Sequence, residues 1–454
     1  MNISLLMLPL YGVDMPPLGV AYIAAQLSKN GANAVKVFCF NSSLHHQNKG
    51  LQYLWDWGCS DEWRSLESIG RYFNIDALLE QWADDVLAAD PRMIGFSVNS
   101  HSRHLSNALA DRLRAKNREV VIVFGGPWCL ELNDPGGFNK SVDVYVRGEG
   151  EAIVTRIVDH LTAGYDVRLL DMEGTVVNTG DGFKDNGWRQ TPVDINDIPF
   201  PALELFDRDH YTNKEEIPII FSRGCNYNCK FCTDKPMWGN YRMRHGDDIV
   251  AEMKKHGALL GRKSFKCNDL MVNGDLKAME VLTRRLVEEK LGYEWGSMAR
   301  AREDMTPQMF FKLREAGCRY LTFGVESGAA KVLSNMGKPG KQALARTFKL
   351  AHDAGIKVNT LWMVGYPQES WLDIFETMFF LFQQRRYIDE FVSVSACYIP
   401  SRSLLGKHQQ SLGIKYNEKS EWYIGRSNTP FVREVRRKML LWLAKKLGLY
   451  KAGI

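Results

Sequence analysis

The chain has 454 residues, with 58 Lys and Arg against 53 Asp and Glu, and it is 45% hydrophobic, 24% charged and 11% aromatic. That length exceeds one ordinary domain, and that composition excludes a disordered or fibrous chain. A net charge of +5 is too weak at this size to call for a nucleic-acid partner, and no uninterrupted apolar run is long enough to span a bilayer.

The opening stretch MNISLLMLPLYGVDMPPLGV has an apolar run but lacks the basic segment and cleavage site of a secretory signal, so a cytoplasmic address is expected. Short apolar runs at 3–9, 35–40, 93–98, 120–124 and 142–146 alternate with helical stretches. That alternation predicts a doubly wound parallel sheet, a Rossmann-like α/β domain, over residues 1–165. Ligands of such sheets bind at the carboxyl ends of strands, where Gly125-Gly126-Pro127 and Arg147-Gly148-Glu149-Gly150 fall. Residues 41–91 interrupt the pattern with Trp55, Trp57, Trp63 and Trp82, and read as a small helical cap with its own core. His101 and His104 follow the third run and read as surface or capping residues.

Residues 166–215 are rich in Gly, Asp and Asn and contain Asp197-Ile-Pro-Phe-Pro201, the composition of a connector. A second α/β region follows over 216–400. Strands at 217–222, 264–272, 293–299, 320–326, 358–364 and 391–398 alternate with helices at 247–256, 276–289, 307–316, 342–354 and 371–384. Six β/α repeats predict a partial barrel with functional loops at the carboxyl ends of its strands. The tail, 401–454, reads as a helical extension. Its segment 431–449 places Met439, Leu440, Leu443 and Leu447 on one stripe and Arg433, Arg436, Arg437, Lys445 and Lys446 off it, so a terminal helix packed on the barrel is expected.

Six of the nine cysteines (Cys39, Cys59, Cys129, Cys267, Cys318 and Cys397) are scattered singly, as buried small side chains of a reducing compartment would be. The other three stand in Cys225-Asn-Tyr-Asn-Cys229-Lys-Phe-Cys232, directly after the first strand of the second region. Thiolates are the soft ligands that iron-sulfur clusters require, and three of them leave one iron open to a further ligand. A zinc knuckle would want a fourth Cys or His close by, whereas the nearest downstream His is His245 and no second C-x-x-C pair exists.

With Phe231 as its aromatic, this C-x-x-x-C-x-aromatic-C loop resembles the signature of the radical S-adenosylmethionine (SAM) superfamily. The resemblance implies a [4Fe-4S] cluster on Cys225, Cys229 and Cys232, with SAM chelating the open iron. It further implies cleavage of SAM to methionine and a 5′-deoxyadenosyl radical, with the electron delivered by a donor such as flavodoxin or ferredoxin. Phe231, Asn268, Asp269 and Asn273 would lie near the bound SAM, and Arg300 near its carboxylate. Glu326 and Ser327, in Phe323-Gly-Val-Glu-Ser-Gly328, would lie near the ribose. Val364 and Gly365, opening Val364-Gly-Tyr-Pro-Gln-Glu369, would pack by the adenine.

The first region is similar to the cobalamin-binding domain fused ahead of the barrel in one class of that superfamily. Pro16-Pro-Leu-Gly-Val-Ala-Tyr-Ile-Ala-Ala25, Ile94-Gly-Phe-Ser97, Gly125-Gly-Pro127 and Gly148-Glu-Gly-Glu151 match its recurrent segments in order. The implied cobalamin contacts are Pro17, Leu18, Gly19, Ser97, Gly125, Gly126, Pro127, Gly148 and Glu149. The D-x-H-x-x-G motif that supplies an axial His to cobalt is absent, since Asp14-Met-Pro-Pro-Leu-Gly19 has no His, so cobalt bound without a protein imidazole is implied.

Together the resemblances cover residues 1–400 and imply methyl transfer to an unactivated carbon of an unidentified substrate, a peptide or a small molecule. A cyclase or rearranging enzyme without net methylation, and a non-catalytic iron-sulfur sensor that binds SAM, stay open as alternatives. A methylthiolating tRNA enzyme is disfavoured by a tail with no RNA-binding domain.

Overall fold

A strand covered by helices on both faces must be apolar on both, which is why continuous apolar runs become the inner strands. In the computed structural model, which describes residues 1–132, 135–189, 192–418 and 420–450, the chain divides into two units, Met1–Pro218 and Ile219–Ile454. The first unit holds Asn2–Met7 (β1), Ala34–Cys39 (β2), Met93–Ser97 (β3), Val121–Gly125 (β4) and Val144–Val146 (β5). They pair in parallel in the order β2-β1-β3-β4-β5. The order reverses between β1 and β3, so the loops leaving those two strands part there, at the switch point where such sheets receive ligands. Helix Leu18–Ser28 packs on helix Glu151–Thr162, and helix Ile75–Leu87 packs on helix Arg103–Lys116.

Two expectations for this unit need correction. Residues 166–215 are not a bare connector: Thr175–Asn178 (β6) pairs antiparallel with β5, and Phe183–Asp185 (β7) with β6, so the sheet is mixed at that edge. The first unit accordingly runs on to Pro218. Residues 41–91 do not build a separate core either. Trp55, Trp63 and Trp82 belong to one buried cluster with Phe96, Leu109 and Phe124 of the sheet and its helices. Trp82 stacks on Phe40 with ring centroids 4.8 Å apart, while the Trp55 and Trp63 indole N–H groups donate to Asn41 Oδ1 and the Leu54 carbonyl, both at 2.8 Å. Trp57 alone of the four is exposed, at 74%.

The second sheet consists of Glu216–Ile219 (β8), Ser264–Cys267, Glu294–Ala299, Cys318–Glu326, Lys357–Val364 and Glu390–Ala396. Between β8 and the second of these, Ser222–Arg223 (β9) and Arg242–Met243 (β10) form an antiparallel ribbon, so the remaining five strands are β11 to β15 in chain order. The sheet order β8-β11-β12-β13-β14-β15 follows the chain, and the pairs from β11 to β15 are parallel. This is the expected partial barrel. Side-chain caps start two of its helices: Asp275 accepts from the Lys277 and Ala278 N–H groups, and Ser370 with Asp373 forms a complete capping box ahead of Trp371–Gln384.

The tail forms a two-stranded ribbon, Lys415–Tyr416 (β16) with Trp422–Tyr423 (β17), and then helix Pro430–Lys446, which packs on β14, β15 and helix Trp371–Gln384. Its buried stripe is Arg433, Arg436, Leu440 and Ala444, so two arginines expected off the buried stripe lie on it. Among the described residues no helix is long and apolar enough to cross a membrane.

Candidate functional site

β8 delivers the chain into β9, and Gly224 turns it into the cysteine loop. Gly224 has φ +81°, and a Cβ there would run into the Asn240 backbone, so this turn admits no side chain. Cys225, Cys229 and Cys232 are all free and half-buried. The loop is braced on two sides, by Lys230 N–H donating to the Met336 carbonyl at 3.0 Å and by Leu405 N–H donating to the Lys230 carbonyl at 2.7 Å. Phe231 anchors it by packing on a buried cluster that includes Met336 and Leu405. Burial first, and Asp234 second, push the Cys232 thiol up to about 11.

The donor set suits an iron-sulfur cluster. Three soft sulfurs lie within eight residues, and backbone N–H groups of Tyr227 and Asp234 already donate to Cys225 and Cys232 Sγ at 3.4 Å. Among the described residues no three His, Cys, Asp or Glu side chains converge closely enough to hold a metal ion, and the three thiols partner neighbouring groups. Cys229 Sγ takes a hydrogen bond from Arg300 Nη1 at 3.2 Å.

Arg300 is fixed from three directions. Its Nη2 donates to the Gly337 carbonyl at 2.9 Å, and its guanidinium lies 3.7 Å from the centre of the Tyr227 ring. Its main chain is clamped by the buried Asn273, whose Oδ1 accepts the Arg300 N–H at 3.0 Å and whose Nδ2 donates to the Arg300 carbonyl at 2.7 Å. Arg302 Nη1 donates to the carbonyls of Asn273 and Gly274 at 2.8 and 3.1 Å, which ties the loops after β11 and β12 together. A positive group is thereby held beside the sulfurs, placed to pair with an anionic ligand.

Other expected contacts hold the scaffold. Asp269 is buried and accepts from Phe221 N–H at 2.8 Å and Ser222 Oγ at 2.6 Å; burial pushes its carboxyl up to about 7. Asn268 is exposed, and its N–H donates to the Ile219 carbonyl at 2.8 Å. Ser327 is fully buried against Thr377, with their hydroxyls 3.0 Å apart, and also caps Ala329 N–H at 3.1 Å. Glu326 pairs with Lys338 at 3.1 Å, and Lys338 lies 5.8 Å from the Phe231 ring centre. Val364 is buried at the end of β14, followed by Gly365 at φ +77° with its N–H donating to Glu369 Oε2 at 2.6 Å.

In the first unit, the nine residues matched to cobalamin contacts fall at the carboxyl edge of the parallel strands. Pro17 caps helix Leu18–Ser28, whose second residue is Gly19. Ser97 ends β3, Gly125 ends β4, and Gly148 and Glu149 lie just past β5. Gly126, at φ +98°, lies so close to the loop after β3 that a Cβ would come within 2.6 Å of the Val98 carbonyl oxygen. Pro127 then opens a short 3-10 turn. Gly19 and Gly148 have open space where a Cβ would stand, whereas Glu149 Oε2 is engaged by Val193 N–H at 3.0 Å. His101 lies edge-on to Trp57, with centroids 6.1 Å apart; burial and then Arg64 hold its ring below the ordinary value. His104 Nε2 accepts from Arg103 Nε at 3.1 Å, a local role.

Sequence reasoning missed Asn428, Arg433 and Arg436, which surround Gly365 and Glu369. No local signal marks them, because the groups they meet lie more than 60 residues earlier.

Residues 219–381, within the second unit, match the profile of the radical SAM superfamily. An uncharacterized methyltransferase of Pyrococcus horikoshii is 24% identical over 297 residues, covering 62% of this chain and 62% of the relative. Cytidylyl-2-hydroxyethylphosphonate methyltransferase of Streptomyces wedmorensis is 24% identical over 401 residues, covering 79% of this chain and 71% of the relative. The chain thus spans three-fifths to seven-tenths of the length of these curated relatives. The solved radical SAM methyltransferase TsrM of Kitasatospora setae, with cobalamin and a [4Fe-4S] cluster bound, superposes with a TM-score of 0.70 at 14% identity, over 92% of this chain and 80% of that one. That likeness establishes the two-part fold.

Proposed function

We propose that this radical SAM chain is a cobalamin-dependent methyltransferase that acts on an unactivated carbon of a small molecule or peptide. The observation that carries the reading is the braced loop of three free thiols with Arg300 fixed against Cys229, following in one chain a sheet of order β2-β1-β3-β4-β5 whose turns stay open at Gly19 and Gly148. The methyltransferase names of the relatives and the fold shared with TsrM support it. When bound, a [4Fe-4S] cluster, SAM and cobalamin would supply one-electron cleavage of SAM, hydrogen abstraction and a transferable methyl group.

The chain's own residues bind and orient. Cys225, Cys229 and Cys232 hold the cluster, and Phe231 seats their loop in the core. Arg300, held by Asn273, pairs with the SAM carboxylate, while Glu326 stands by the ribose and the Val364–Gly365 backbone by the adenine. Asp269 and Ser327 act behind these groups through Ser222 and Thr377. The segments at Pro17–Gly19, Ser97, Gly125–Pro127 and Gly148–Glu149 would hold cobalamin, largely with backbone. An electron donor such as flavodoxin or ferredoxin completes the cycle.

Incubating the anaerobically reconstituted chain with SAM labelled in its methyl group, a reductant and cobalamin tests the reading on candidate substrates. Label in the product is expected. A product formed without label would replace methyl transfer by cyclisation or rearrangement.

A further inference from the structure

The turn that follows β14 is held from behind by the C-terminal segment. Glu369, whose side chain is 1% exposed, accepts the Gly365 N–H at 2.6 Å and Arg436 Nη1 at 3.1 Å. Arg436 is fully buried, and its Nη2 donates to the Ser427 carbonyl at 3.0 Å. Asn428 Nδ2 donates to the carbonyls of both Gly365 and Tyr366 at 3.1 Å. Arg433 lays its stem where Gly365 has no Cβ, donates to the Trp422 carbonyl at 2.7 Å, and sets its guanidinium 3.9 Å from the centre of the Trp422 ring.

Both polar backbone groups of Gly365 are therefore satisfied by side chains rather than by a neighbouring strand. Beyond the end of β14 there is no ladder to hold the turn, and a buried backbone group left unpaired is costly. A helix that served only as a cover would bury apolar residues at these positions, since a buried guanidinium is expensive unless its partners repay it. Here the partners are the turn itself.

We propose that Asn428, Arg433 and Arg436 are positioning residues for SAM, fixing through Glu369 and Gly365 the backbone against which its adenine is set. The nucleotide site then depends on residues 428–436, outside the segment matched by the superfamily profile. The inference rests on the reading that this turn receives the adenine.

The test uses the full chain with its cluster reconstituted, and equilibrium dialysis against SAM. Arg436→Met strips the buried Glu369 carboxyl of its guanidinium partner, so that it must take up a proton or keep an uncompensated charge, and should weaken SAM binding about tenfold or more while iron per chain is unchanged. Adding Glu369→Gln should restore most of the affinity, because the amide oxygen still accepts the Gly365 N–H without a buried charge. Asn428→Ala, a milder change that decides the matter if Arg436→Met does not fold, should weaken SAM binding several-fold. Weakened binding that Glu369→Gln fails to relieve would reduce Arg436 to general packing and overturn the proposal. Variants that bind SAM like the wild type would overturn it while leaving the site reading standing. A wild type that binds no SAM would overturn both.

Discussion

Replacing Gly224 with Ala should disarm the cysteine loop while sparing the first unit. The residue lies at φ +81°, where an L side chain costs about 1–2 kcal/mol before any contact is counted. The new Cβ would stand 2.7 Å from the Asn240 carbonyl carbon and 2.9 Å from the Gly239 oxygen. Both are backbone atoms of the turn that leads into β10, so no side chain can turn aside, and accommodating the extra group adds roughly 1–3 kcal/mol. The sum, about 2–5 kcal/mol, is a large part of the 5–15 kcal/mol that typically separates folded from unfolded protein. Opening the ribbon of β9 and β10, two residues in each strand, is the cheaper relief, and it displaces Cys225, whose N–H donates to the Gly239 carbonyl at 3.3 Å. Iron and sulfide per chain after anaerobic reconstitution should fall well below wild type, with a lowered urea midpoint for the second unit. Wild-type iron content together with a wild-type midpoint would refute the argument.

Other substitutions separate the roles assigned above. Gly126→Ala places a Cβ 2.6 Å from the Val98 oxygen at φ +98° and should lower cobalt bound per chain after incubation with cobalamin, leaving iron loading alone; unchanged cobalt would remove this turn from the site. Asn273→Ala deletes both hydrogen bonds that clamp the Arg300 main chain, a loss of about 1–3 kcal/mol, and should weaken SAM binding more than iron binding, as read by dialysis beside iron analysis. Asp269 titrates at about 7 when folded against an ordinary value of 3.8, so the folded chain holds this proton more tightly than the unfolded one, and the stability its neutral form gives is lost as pH rises through that window. Asp269→Asn cannot ionise, so its urea midpoint minus that of the wild type should grow between about pH 4 and pH 7 and level off above. A difference that stays constant would contradict the sign.

The legible parts of this molecule are those whose cause is local. The cysteine loop reads directly, because its three thiols stand within eight residues of one another. Strands β1 and β3 to β5 read as apolar runs because helices cover both their faces. The hairpin β6–β7 did not, since its short strands, with Asn178, Lys184 and Asp185, have the composition of a loop and extend the sheet from the edge of β5. Arg433 and Arg436 read only as residues off the apolar stripe; what buries them is Glu369 and Gly365, brought close by the fold. The resemblance located Asp269 and Ser327 within their motifs, but which way each side chain points is decided by Phe221, Ser222 and Thr377. Those neighbours hold both side chains within the scaffold.

The central claim is that Cys225, Cys229 and Cys232 hold a cluster that opens SAM reductively. The most direct measurement is release of 5′-deoxyadenosine from SAM by the anaerobically reconstituted, reduced chain, run beside Cys225→Ala. The wild type should release it and the variant should not. Release by Cys225→Ala, or none by an iron-loaded wild type, would contradict the account.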